Sequence, residues 1–212
     1  MTITRIANNN TAQQVELIAN SLEETFRRIV SAKACIIANF PQISTTPIDF
    51  FIWIKIPYKN GSYKAGMAKD FKDRQFLNNM VFTIRIIEIK DLVAIHGSNI
   101  IKKFSDGGSA ELDLYAERHN DQFEISNFIK ERIGIKYFHC PEVIWLKGYK
   151  KADIETLDIA SMIFFDDTIF KMENVINHVA EEIIINNKNF TKGFYSYPEK
   201  DDEGNEIYKY NG

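Results

Sequence analysis

Near the middle of the chain Glu88 and Lys90 stand one residue apart at the end of an apolar, β-branched run, VFTIRIIEIKD. In an extended strand alternate side chains share a face, so both charged groups would project together while Ile89 points into the opposite layer. Charged groups at the end of a buried strand need a partner or a purpose. A second carboxylate, Asp49, opens another strongly apolar run, IDFFIWIKI. If the two runs form a β-hairpin, Asp49 and Glu88 meet at one end of a sheet. Two carboxylates with the adjacent backbone carbonyl of Ile89 make a hard, all-oxygen site for Mg²⁺ or Mn²⁺. Such an ion lowers the pKa of a bound water and counters charge building on a phosphate. Lys90 would orient or help deprotonate that water and stabilise a pentacoordinate transition state. The chemistry these residue types suggest is phosphodiester hydrolysis.

The same residues admit plainer roles. Glu88 and Lys90 could form an exposed ion pair, and Asp49 after Pro47 could cap a turn. A rival acid-x-Lys triplet, Asp70-Phe71-Lys72, lies in a polar stretch instead of at a strand end. His96 beside Gly97 is a lone loop histidine, Asp166-Asp167 reads as a strand-ending turn, and His139-Cys140 has no partner pattern for nucleophilic catalysis.

Positioning the trio requires a folded α/β core, and the composition allows one. The chain has 212 residues, 45% of them hydrophobic and 13% aromatic, enough for one sizeable domain. Its net charge of −3 gives no overall attraction to nucleic acid or anionic membrane, so such binding needs a local basic patch. Two cysteines with no metal or redox spacing suit a reducing cytoplasm. The N-terminus lacks the layout of a signal peptide, and no apolar run approaches the ~20 residues of a membrane span. A soluble, cytoplasmic chain is expected.

Residues 11–29 carry Val15, Ile18, Leu22, Phe26 and Ile29 at helical spacing, with Thr11 as N-cap and Glu16 beside the apolar stripe. Strands are expected at 34–39, 48–56, 81–90 and 143–146, with a strand or buried turn at 160–165. Segment 92–101 turns at His96-Gly97, SDGGS (105–109) is a loop, and 111–134 reads as helix and contains Gln122. A last helix covers 174–184. Residues 188–212 read as a polar tail or the start of a linker, leaving 1–187 as the domain. Between the two central strands lies an insertion, 57–80. From Lys55 to Arg74 there are six basic residues (Lys55, Lys59, Lys64, Lys69, Lys72 and Arg74) against Asp70 and Asp73, with aromatic residues interleaved. This pattern suits phosphate contact and base stacking as well as it suits a solvated arm. The expected fold is α/β: a small mixed sheet with a central β-hairpin, flanked by helices.

The ordered set VELIANSL, TPIDFFIW, IIEIKD, NDQFEISNFIKERI and CPEVIWL resembles the PD-(D/E)XK nuclease superfamily, most closely its nuclease-related domain, NERD. The resemblance implies a restriction-endonuclease-like core with Asp49 and Glu88 as metal ligands and Lys90 as catalytic lysine. It also implies Glu16 as an accessory acid, Gln122 as a site-supporting amide, a Mg²⁺ or Mn²⁺ cofactor, and DNA as substrate. Ile48 separates Pro47 from Asp49, which suits the nuclease-related branch. The alternative is a nuclease-shaped module without catalysis that serves nucleic-acid binding or protein assembly. Nuclease-related domains are often fused to other modules, so a longer parent protein, like a homo-oligomer, is compatible with the sequence.

Overall fold

The computed structural model describes residues 1–27, 29, 31–40, 48–56, 79–114, 131, 140–200 and 206–210. The two apolar runs form β3 (Ile48–Lys55) and β4 (Asn79–Glu88), which pair antiparallel from Phe50 opposite Ile84 to Lys55 opposite Asn79. Around this hairpin are added β1 (Thr2–Ile6), β2 (Lys33–Phe40), β8 (Glu142–Lys147) and β10 (Ile163–Phe165), giving a six-stranded mixed sheet in the order β1-β2-β3-β4-β8-β10. β4, β8 and β10 run parallel, so their C-terminal ends share one edge of the sheet with the start of antiparallel β3.

Alternation along the strands gives the sheet two apolar faces. Phe50, Ile52, Ile54, Met80, Phe82 and Ile84 bury one face against α1 (Ala12–Phe26) and α2 (Met172–Phe194). The helical stripe Val15, Ile18, Leu22, Phe26 is fully engaged there, as its three- and four-residue spacing predicts. On the other face Ile144, Leu146, Ile163 and Phe165 meet a second core built with Ile89, Ile95 and Ile100. That core belongs to a second sheet, ordered β7-β6-β5-β9, from β5 (Leu92–Gly97), β6 (Asn99–Lys103), β7 (Ser109–Asp113) and β9 (Glu155–Ile159). A near-continuous apolar run is what a strand covered on both sides requires.

The architecture is therefore mixed α/β, with two helices and two mixed sheets among the described residues, larger than the single small sheet expected. Several boundaries differ from the sequence-based expectation. The apolar strand stops at Glu88: the chain turns at Lys90 and Asp91, and Asp91 adopts a left-handed backbone (φ 62°) that aspartate tolerates better than most residues. Residues 109–113, in part expected to be helical, form β7, because pairing with β6 satisfies their backbone. Gln122 and the rest of the expected helix, except the helical Glu131, lie outside the described residues. Residues 2–6, ahead of α1, form β1, parallel to β2. The last helix runs on to Phe194, and β11 (Tyr195–Lys200) and β12 (Glu206–Tyr210) pair antiparallel where a tail or linker was expected. Thr11 occupies the N-cap position of α1, but its hydroxyl bonds Asn8 and makes no cap bond. Among the described residues no helix is long and apolar enough to cross a membrane.

The two helices are tied by a hydrogen bond from the Met172 amide to Ser21 Oγ (3.0 Å), which satisfies one of the unpaired donors at the start of α2. Ser21→Ala removes that acceptor across 151 positions of sequence. It is expected to lower stability by about 1 kcal/mol, read as a lower urea midpoint at unchanged slope.

Candidate functional site

The end of the β3–β4 hairpin is where the polar groups gather. Asp49 is half-buried at the second residue of β3. Its Oδ2 accepts the Ile86 amide at 2.7 Å, a side-chain carboxylate standing in for a strand carbonyl where the ladder ends. Burial pushes the Asp49 carboxyl above its ordinary range, opposed by the Ile86 bond and by the Arg85 and Lys147 cations. By strand alternation Asp49 shares a face with Arg85 and Glu142. Those two form a largely buried pair at 2.7 Å, with side chains 11% and 20% exposed.

Glu88 is the last residue of β4 and, by the same alternation, projects to the opposite, helix-side face. Its register partner on β8 is Lys147, and Lys147 Nζ donates to Glu88 Oε1 at 2.6 Å. That bond and the charge behind it hold the Glu88 carboxyl below its usual range and the Lys147 ammonium above its own. Asp166 and Asp49 add to the negative field at Lys147. In the sequence Lys147 opens the basic cluster KGYKK (147–151). The signal that could have found it is its place immediately after the apolar VIWL, at the end of a strand parallel to the one carrying Glu88.

The remaining candidates are placed as follows. Lys90 is exposed in the turn past β4, so the two-residue step that would set it beside Glu88 is not made along an extended strand. The carbonyl of Ile89 accepts the Tyr149 hydroxyl at 2.6 Å. Glu16 pairs with Arg5 at 3.1 Å, and Arg5 is on β1, three strands from β4, which at ordinary strand spacing is about 14 Å. Lys59, Lys64, Lys69, Lys72 and Arg74, like Gln122, lie outside the described residues. His96 is exposed on β5. Cys140 is buried, and burial raises its thiol far from any nucleophilic range. Asp166 is consumed structurally: Oδ1 takes the Trp145 indole N–H at 2.7 Å and Oδ2 the Gly148 amide at 3.1 Å. Asp167 Oδ1 accepts the Lys151 amide at 3.2 Å.

No family model, curated protein or solved structure matches the chain. Its chemistry must be read from the rim itself. Among the described residues no three of His, Cys, Asp and Glu gather to hold a metal ion. A Mg²⁺ ion asks for less, since it keeps several waters and is held by one or two carboxylates plus phosphate oxygens. Asp49 is desolvated, its Oδ2 takes the Ile86 amide, and it stands where the sheet ends.

The raised Asp49 carboxyl has a consequence for stability. The folded protein holds this proton more tightly than the unfolded chain, so the contribution is present at low pH and lost as pH rises through the raised pKa. Asp49→Asn keeps an oxygen for the Ile86 amide without the desolvated charge. It is expected to unfold at a higher urea concentration than wild type at pH 7 and to lose the advantage below pH 4. Asp49→Ala strands the amide and is expected to fall about 1 kcal/mol or more below Asp49→Asn.

Proposed function

We propose that the protein is a divalent-metal-dependent nuclease that hydrolyses phosphodiester bonds, foremost in DNA, on a restriction-endonuclease-like core. The observation that carries this is Asp49, a half-buried carboxylate whose charge burial disfavours in spite of the Ile86 amide and the Arg85 and Lys147 cations, on the rim where Glu88 and Lys147 also stand. A half-buried acid whose charge is disfavoured, on the rim where parallel strands end, is a candidate for function. The order of elements supports the same reading: α1, then β2, β3 and β4 in an antiparallel meander, then β8 parallel to β4. It is the order in which the resembling motifs occur.

In this reading Asp49 holds the cation, and Glu88, which projects to the other face and is paired with Lys147, serves as the second carboxylate only once it leaves that pair. When bound, Mg²⁺ or Mn²⁺ supplies an activated water and a counter-charge for the phosphate. Asp49 is kept in place by the Ile86 amide on Oδ2, so its other oxygen has a fixed direction before any ligand arrives. The basic segment with Lys59, Lys64, Lys69, Lys72 and Arg74 supplies contacts to the nucleic-acid backbone.

A second reading, a nuclease-shaped binding or assembly module without cleavage, is favoured by the ion pair that already occupies Glu88. Assays on plasmid and single-stranded DNA with Mn²⁺ separate the two. Wild type is expected to cleave, EDTA to abolish cleavage, and Asp49→Ala to lower the rate roughly a hundredfold or more. Cleavage that survives Asp49→Ala sinks the proposed centre. No Mn²⁺ binding, with DNA binding intact in EDTA, selects the module.

A further inference from the structure

We propose that β1 is a self-pairing edge: two copies of this chain join antiparallel along it, about a two-fold axis at Thr4, into one sheet with six strands from each copy. The edge lies three strands from β4, and its pairing is independent of the nuclease reading. β1 is the outer strand of the six-stranded sheet, bonded only to β2 among the described residues, and Thr2, Thr4, Arg5 and Ile6 are exposed. Edge strands of monomers are usually blunted by lysine, proline, a bulge or a covering segment. TITRI has none of these: four of its five residues are β-branched, and its register with β2 is unbroken. Its one charge, Arg5, is drawn onto α1 by Glu16 at 3.1 Å and Glu23 at 3.4 Å, which leaves the edge open to a neighbour.

Backbone geometry selects the partner. The Thr2 amide donates to the Ala32 carbonyl, and Thr2 lies opposite Lys33 in a parallel ladder. In such a ladder alternate residues turn both backbone groups to the neighbour. Thr2, Thr4 and Ile6 therefore face β2, while Ile3 and Arg5 offer their N–H and C=O outward. These two stand symmetrically about Thr4. An antiparallel second copy sets Ile3 opposite Arg5 and Arg5 opposite Ile3, and each pair exchanges two hydrogen bonds. Thr4 meets its own counterpart at the axis in a non-hydrogen-bonded pair, where side chains approach closest. Thr2 meets Ile6, which is 52% exposed in the single chain. Threonine pairs and β-branched pairs are favourable cross-strand neighbours.

Charge and symmetry favour this arrangement over its rivals. Parallel pairing in register sets Arg5 against Arg5, like charges directly opposite, whereas the antiparallel pair sets each arginine against an isoleucine. The other outer strands of the two large sheets are poorer edges. β10 has three residues, all buried, β9 has a broken register and Asp158 at φ 70°, and β7 carries Glu111 and Asp113. The two-fold axis stands perpendicular to the sheet and keeps the helices of both copies on one side. It sends the two Asp49 rims to opposite edges, so neither copy lends a residue to the other's rim. Pairing uses up the edge, so association closes at two copies. A five-residue strand pair belongs to the small, transient class of interface.

The test is sedimentation velocity of the full chain, any tag placed at the C-terminus, over roughly 1 to 300 µM, the range a transient interface calls for. Wild type is expected to pass from monomer to dimer across that range, with no larger species. Thr4→Lys sets two ammonium groups against each other at the axis and is expected to weaken association about fivefold or more, as is Thr4→Glu with its two carboxylates. An equimolar mixture of the two variants is expected to recover the dimer, because position 4 of one copy meets position 4 of the other. Thr2→Lys, set opposite Ile6, is the control and is expected to cost far less. Melting temperatures at low concentration should match wild type, since Thr4 is exposed. Wild type that stays monomeric at the highest concentration overturns the proposal. Thr4→Lys that dimerises as wild type does, or a mixture that stays monomeric, overturns it as well and moves the contact to another surface of the chain.

Discussion

The hydrogen bond from the Ile86 amide to Asp49 closes the central ladder, and much of the rim depends on it. Further along the hairpin, from Phe50 to Lys55, β3 answers β4 residue for residue. At Ile86 a carboxylate takes over as acceptor. A neutral side-chain acceptor would satisfy the amide at lower electrostatic cost, because burial disfavours the charge. The chain thus keeps an acid where a structural role alone calls only for an oxygen. That mismatch between structural need and residue choice distinguishes Asp49 from Asp166, whose two oxygens are both used by protein donors.

Among the described residues β4 is covered unevenly along its length. Met80, Val81, Phe82 and Ile84 are fully buried, Arg85, Ile86 and Ile87 partly, and Glu88 is 68% exposed. The helices cover one face and the second sheet the other, so hydrophobic burial fixes the strand while its last residues emerge from both layers. A site at the C-terminal ends of parallel strands gains rigidity from this arrangement, since its side chains leave from backbone held on both sides. The largely buried Arg85–Glu142 pair bridges β4 and the start of β8. It costs desolvation but, once formed, resists slippage of one strand past the other.

The sequence made the hairpin, the α1 stripe and the parallel strand β8 legible, since each is a strong apolar pattern with one solution. VFTIRIIEIK reads as a buried strand and is one, but its end depends on the turn at Asp91 and on where β8 stops. Neither is visible in the run itself. Moving the end by two residues takes Lys90 out of the strand, and with it the reason for pairing it with Glu88. TITRI carries little strand signal because an exposed edge strand has few apolar residues and is defined by pairing with β2. SAELD, short and polar, looks helical until β6 supplies a partner. Glu16 looked available because its helix position is near the apolar stripe, yet which edge of the sheet that position meets, and hence Arg5, is a tertiary fact.

The same limit explains why a short linear motif is a weak guide to a lysine on this kind of scaffold. An E-x-K triplet can deliver its amine only if the strand stays extended for two more residues. Parallel register has no such requirement. It sets residues 59 apart in sequence side by side, and it holds as long as the two strands end together. Glu88 and Lys147 end their strands at the same level, so the charge beside the carboxylate is guaranteed by sheet geometry and not by local spacing.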